Sequence, residues 1–290
     1  MSRRGALTIL LTGATGQVGY ELERSLQGLG RVVAPRRAEL DLADLDQVRA
    51  VVRAVRPNLI VNPGAYTAVD QAEREPALAW RINAEAPAVL AAEARLLGAA
   101  MVQYSTDYVF DGAKPGAYVE SDATNPINAY GRSKLAGEQA VAAAGIDHLI
   151  LRTSWVYGMR GKNFLLTMLR LGAERAQLRV VADQHGAPTW SRTVADVTAL
   201  LLAQGAQGGA DWWQRHGGVY HLSSGGATTW CGFTEAIVAA AGLPCEVVPI
   251  GSADYPLPAP RPANSQLCCD KLRQLCTLPD WHAALRLCLA

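Results

Sequence analysis

Tyr130 and Lys134 stand four positions apart in AYGRSK, residues 129–134. If a helix begins near Tyr130, these positions share one face, and a phenol and an ammonium meet in one cleft. A free tyrosine has a pKa near ~10 and gives up its proton slowly at neutral pH; a lysine charge ~5 Å away, at an effective dielectric of ~20, would stabilise the phenolate by roughly 3 kcal/mol, about two pKa units. The spacing therefore predicts a tyrosine tuned for acid–base work, beside an ammonium that can also hold a ribose. A solvated helix face produces the same spacing. Upstream, MVQYSTDYVFDG carries Ser105, Thr106 and Asp107 at the end of an apolar run. A hydroxyl there can polarise a substrate carbonyl, and a cap or turn would use the same trio.

A second group of residues could hold a nucleotide. In LTILLTGATGQVGYELERSL, an apolar run passes through Gly13, Gly16 and Gly19 into a helical pattern. Glycines so placed let the backbone approach a pyrophosphate, whose charge rests on the N–H groups of the following helix. The first spacing is one residue longer than in GxGxxG, and an ordinary tight turn is the alternative. About 20 residues on, where a carboxylate would bind the adenosine ribose of NAD, stand Arg36 and Arg37. Guanidinium groups match a 2′-phosphate and favour NADPH over NADH, unless both are simply solvated. Asp41 can accept a hydrogen bond from the adenine amine.

These groups need a scaffold that brings them together. LTILLTG, RVVAP, NLIVNPG, AAMVQYST and HLILRTSWVY read as strands, and the segments between them carry apolar residues at three- and four-residue spacing. That alternation predicts repeated βαβ units around a parallel sheet. After Trp155 the order changes. Prolines and glycines cluster in GAPTW, QGAQGGADWWQRHGG and YPLPAPRPANS, which predicts helices separated by long irregular stretches. The expected organisation is a dinucleotide-binding domain at 1–155 and a mainly substrate-binding lobe at 156–290, with some segments returning to the first domain. The two tryptophans of DWWQRHGG fit a contact surface or a loop folded over its own aromatics.

Composition narrows the function classes. Of 290 residues, 50% are hydrophobic and 18% charged, with a net charge of +1, which argues against disorder and against nucleic acid as a partner. All six cysteines lie at or after Cys231 without a CxxC pair, and the five histidines are scattered, so neither a disulfide framework nor a metal site is expected. The basic start MSRRG is followed by an apolar run too short for export, and no run approaches a membrane span; a cytoplasmic protein is expected.

TGATGQVGYEL, VNPGAYTAVDQAE, YSTDYVFDG, NAYGRSKLAGE, LRTSWVYG, NFLLTMLRL, DQHGAPT, YHLSSGGATTW and RPANSQL together resemble the extended short-chain dehydrogenase/reductase family, over nearly the whole chain. The resemblance implies a Rossmann-like doubly wound parallel sheet with a smaller C-terminal substrate-binding lobe. It implies Tyr130 as proton donor, Lys134 assisting it and holding the ribose, and Thr106 at the reacting carbonyl. Gly16, Gln17 and Val18 would lie along the pyrophosphate, Asp41 and Leu42 at the adenine, and Gly64, Ala65 and Tyr66 along the cofactor. Thr106, Asp107 and Trp155 would bind a sugar nucleotide, and Arg261 its diphosphate. The implied reaction is hydride transfer from NADPH to C4 of a 4-keto-6-deoxysugar on dTDP, giving dTDP-L-rhamnose. Some relatives are magnesium-dependent dimers with glutamates at the interface. Glu21 matches one such position, but Arg192 stands near a second, so a metal-bridged dimer is not expected and a homodimer through other surfaces stays open.

Two rivals share that fold. A dehydratase needs a second carboxylate after the threonine, where Thr106-Asp107-Tyr108 offers one. An epimerase that retains NAD has little use for Arg36 and Arg37. A non-catalytic regulatory subunit, like that of methionine adenosyltransferase, would have no need of a tuned phenol.

Overall fold

The computed structural model describes residues 7–290; the basic start MSRRG lies outside the described residues. The first part of the chain alternates strands and helices: β1 (Leu7–Leu11), α1 (Gln17–Ser25), β2 (Gly30–Val33), α2 (Leu45–Val55), β3 (Leu59–Asn62), α3 (Val69–Ala72), α4 (Pro76–Trp80), α5 (Ala86–Leu97), β4 (Ala100–Thr106), α6 (Ala129–Ala143) and β5 (His148–Thr153). Later come α7 (Phe164–Glu174), α8 (Ser191–His216), the strand Gly218–His221 and α9 (Trp230–Ala240). Six parallel strands form one sheet in the order Gly218–His221, β5, β4, β3, β1, β2. This is the expected doubly wound α/β architecture.

The period-two direction of strand side chains divides the core into two layers. Ile9, Leu11, Val61, Val102 and Leu151 face Leu22 of α1 and Val194 and Leu201 of α8. Their neighbours Leu10, Ile60, Met101 and Ile150 face Val48 and Val52 of α2, Leu90 of α5 and Val141 of α6. Both faces are covered, so these strands read as continuous apolar runs in the sequence. A third core, built from Tyr157, Leu165, Phe233, Ile237, Trp281 and Leu285, belongs wholly to the later part of the chain.

Three segments depart from the sequence-based expectations. HLILRTSWVY is not one strand: β5 stops at Thr153, and Trp155 takes a left-handed backbone (φ 47°) before the short strand Val156–Tyr157. That conformation is costly for a bulky residue. It is held by the Trp155 indole stacking on Trp230, with centroids 3.6 Å apart and planes 7° from parallel. QGAQGGADWWQRHGG is mostly helix rather than an irregular loop. It forms the second half of α8, kinked where Gly209 takes φ 61°, and the Trp212 ring fits against the bare faces of Gly205 and Gly208. Trp212 is buried in the main core, so the WW pair anchors a helix end. Between α4 and α5 the helix widens into a π-turn, Arg81–Glu85, which holds Asn83 in the interior.

Candidate active site

The order of the sheet reverses between β1 and β3, and in such sheets ligands bind outside the carboxyl ends of the strands at that point. Here the two loops touch. Gly13 takes φ 55°, and a Cβ on it would stand 2.6 Å from Gly64 Cα. A Cβ on Gly19 would run into the Gly13 carbonyl, so the helix can begin only with glycine there. Gly16 caps α1 without a side chain, leaving the N–H groups of the first turn directed into the cleft. Below the loops a buried polar chain fixes their spacing. Thr12 donates to Asn62, Asn62 donates to Gln103 (2.7 Å), and Thr12 Oγ1 accepts from the Gly64 N–H (3.2 Å).

One cavity of about 660 Å³ joins this turn to the acid–base residues. Gly13, Gly16, Gln17, Val18, Gly19, Gly64 and Ala65 line one side; Thr106, Asp107, Tyr130, Lys134 and Trp155 line the other. α6 begins one residue before Tyr130, its N-cap Asn128 accepting from the Gly131 N–H (2.8 Å), so Tyr130 and Lys134 do share a face. Buried Asn83 ties the segment after β3 to α6: its amide donates to the Tyr66 carbonyl (2.9 Å) and to Ser133 Oγ on α6 (3.0 Å), and its Oδ1 accepts from the Tyr66 N–H (2.8 Å).

The electrostatics of the pair differ from those the spacing suggests. Tyr130 is raised above the usual phenol range, first by burial; a hydrogen bond with Thr106 pulls it down and the Asp107 charge pushes it further up. Lys134 points its ammonium at the Tyr104 carbonyl (2.6 Å), and burial lowers its pKa to about 8. Desolvation of the phenolate, rather than a neighbouring charge, thus has the largest influence on Tyr130. Asp107 is pushed up to about 6 by burial, opposed by hydrogen bonds from Ser265 and Thr106.

Some sequence-selected residues are placed elsewhere. Arg36 turns away from the cleft to Glu23 (3.8 Å), whereas Arg37 lines a smaller cavity with Asp41, Leu42, Gly64 and Ala65. Arg37 also approaches Asp41 (3.5 Å). Tyr66 presents its backbone to Asn83 and its hydroxyl to Glu75 (2.7 Å), not to the cavity. Arg261 is paired with Asp70 (2.8 Å) and with the Ala259 carbonyl (2.7 Å). Glu21 faces Arg192 (3.7 Å), which also grips Asp196.

The chain from residue 7 to residue 290 matches the family model described as RmlD substrate binding domain. This chain belongs to the RmlD family. Within it, the chain is 50% identical to dTDP-4-dehydrorhamnose reductase of Burkholderia thailandensis, covering 98% of both chains. It is 42% identical to the enzyme of that name from Escherichia coli, over 97% of this chain and 96% of the other. A solved dTDP-4-dehydrorhamnose reductase from Bacillus anthracis, in complex with NADP, superposes with a TM-score of 0.89 at 36% identity, covering 98% of this chain and 99% of that one. An RmlD-family cleft built on Gly13, Gly19 and Gly64 is a cradle that any side chain would fill, and it fits a dinucleotide.

Several residues of this RmlD-family cleft escaped the sequence reading. Lys162, Asn163 and Trp230 line the cavity from the later part of the chain. Asn163 caps α7 and donates to Gln17 (2.9 Å), tying that helix to the glycine turn. Its signal was present in NFLLTMLRL, where an asparagine directly precedes an apolar helical run. Asn83 left no comparable signal, because a π-turn has no distinct sequence pattern.

Proposed function

We propose that this chain catalyses NADPH-dependent reduction of the C4 keto group of dTDP-4-dehydro-L-rhamnose to dTDP-L-rhamnose. The single observation that carries the reading is the continuity of one cavity from the Gly13–Gly19 turn to Thr106, Tyr130 and Trp155. The dinucleotide supplies the hydride when bound. The chain's own residues do the rest. Thr106 and Tyr130 line the cavity within hydrogen-bonding reach of each other, and in this reading both hydroxyls meet the C4 carbonyl oxygen. That oxygen gains negative charge as C4 is reduced, and Tyr130 donates its proton there. The raised pKa keeps Tyr130 protonated until hydride arrives, and its proton then passes to the alkoxide oxygen as that charge develops. Lys134 stabilises the phenolate left behind and holds the ribose. Asp107 and Trp155 seat the sugar.

Residues 1–155 act in this reading as the dinucleotide-binding domain and 156–290 mainly as the substrate-binding lobe. The strand Gly218–His221 and part of α8 return to the first. The setting is cytoplasmic. Among the described residues no helix is long and apolar enough to cross a membrane. Among them, too, no group of acidic, histidine or cysteine side chains is placed to hold a metal ion. With Glu21 facing Arg192, a magnesium-bridged dimer through Glu21 is disfavoured.

Supplying dTDP-4-dehydro-L-rhamnose to the protein with NADPH should deplete the near-ultraviolet absorbance of the reduced cofactor and form dTDP-L-rhamnose. An inert mixture would remove the proposal. Cofactor choice follows Arg37 rather than Arg36. Arg37→Ala is expected to raise the KM for NADPH by about tenfold while leaving that for NADH nearly unchanged, as loss of one charge-assisted contact implies. Arg36→Ala should leave the ratio as it is. Kinetics of both variants with both nicotinamides decide between them.

A further inference from the structure

β5 ends at Thr153, paired in register with Thr106 at the end of β4. Thr153 lines the cavity and is about nine-tenths buried, and its Oγ1, itself closed off at the cavity wall, makes no hydrogen bond among the described residues. A buried hydroxyl without a partner costs free energy, so a residue that keeps one at a cavity wall needs a reason beyond packing. Its neighbour shows that a partner was within reach of the local fold: Ser154 donates to the Ala187 carbonyl (2.9 Å). Thr153 alone of the two faces the cavity.

We infer that Thr153 is a substrate-positioning residue whose unpartnered hydroxyl, turned into the cavity by rotation about χ1, hydrogen-bonds an oxygen of the sugar ring substituents beside the reacting carbon. The sheet order assigns it to the sugar rather than to the cofactor. β4 lies between β5 and the β3–β1 pair, and the dinucleotide turn follows β1 and β3. The β5 end therefore forms the wall away from Gly13 and Gly64, the same wall that carries Trp155 two residues later. With Thr106 across one strand spacing, Thr153 completes a pair of hydroxyls, one at the reacting oxygen and one at its neighbour on the sugar. This inference rests on the reductase reading above.

Thr153→Val keeps the β-branched shape and removes only the polar atom. The unliganded variant should melt at the same temperature or slightly higher, since the wild-type hydroxyl has no protein partner to lose. The dissociation constant for dTDP-L-rhamnose, measured by calorimetry, should rise about fivefold to tenfold, while those for dTDP and NADP+ stay unchanged. Thr153→Ser should restore the wild-type value. A Thr153→Val protein with unaltered affinity for dTDP-L-rhamnose would overturn the inference, as would an equal loss for dTDP or NADP+, or a lower melting temperature without ligand. Wild-type protein that binds dTDP and NADP+ but not dTDP-L-rhamnose would overturn the substrate reading itself, and this inference with it.

Discussion

Tyr130→Phe should lower kcat for reduction by about 10²- to 10⁴-fold, the range associated with loss of a positioned general acid. The ring stays where it is, because the edge-on contact with Tyr108, with centroids 5.9 Å apart, does not involve the hydroxyl. Binding of NADPH should change little, and folding stability should move by no more than ~1 kcal/mol, since one hydrogen bond with Thr106 is exchanged for the relief of a buried polar group. Single-turnover measurements with saturating NADPH separate this outcome from a binding defect. A variant that reduces the sugar nucleotide at the wild-type rate would show that some other group delivers the proton, Asp107 being the nearest carboxyl raised toward neutrality.

The parts of this fold that were legible in the sequence are those set by local periodicity. Four buried strands, β1, β3, β4 and β5, announced themselves as apolar runs because the sheet is covered on both faces, and the α2 boundaries coincide with LDQVRAVVRAV because Asp44 caps its start. The glycine turn was legible because Gly13 and Gly19 are there for contacts a few residues away. What stayed hidden depends on partners distant in the chain. Trp155 breaks a strand that reads as continuous, and the reason lies in Trp230. Arg36 and Arg37 are equivalent by position, but Arg36 approaches Glu23 on α1, whereas Arg37 lines the smaller cavity with Asp41. Arg261 similarly looks free until Asp70 is brought beside it. The acidity of Tyr130 was misjudged for a related reason: the i, i+4 spacing gives the distance to Lys134 but not the depth at which both are buried, and depth decides the sign.

That depth makes Lys134 a residue kept for catalysis at the expense of stability. Its pKa falls from 10.5 to about 8, so the folded protein binds the lysine proton about 2.5 units less favourably than the unfolded chain does. At neutral pH the charge is still present and costs on the order of 3 kcal/mol net, burial outweighing the attraction of Glu138. Between pH 8 and 10.5 the unfolded chain holds a proton that the folded protein has released, so this contribution to stability rises with pH and is least favourable below pH 8. Lys134→Met removes the penalty. Near pH 7 it should be more stable than wild type by about 1–3 kcal/mol in urea denaturation, with the difference shrinking toward pH 10 as wild type sheds its proton. Activity should move the other way, with kcat/KM down by about 10²-fold or more, because the phenolate of Tyr130 then forms without a neighbouring cation. In wild type the alkaline limb of kcat/KM should fall near pH 8, where Lys134 loses its charge, and not at the higher pH where Tyr130 ionises. A Lys134→Met protein less stable than wild type near pH 7 would mean that the ammonium is a net structural asset in its site, and the assignment of the alkaline limb to Lys134 would fall with it.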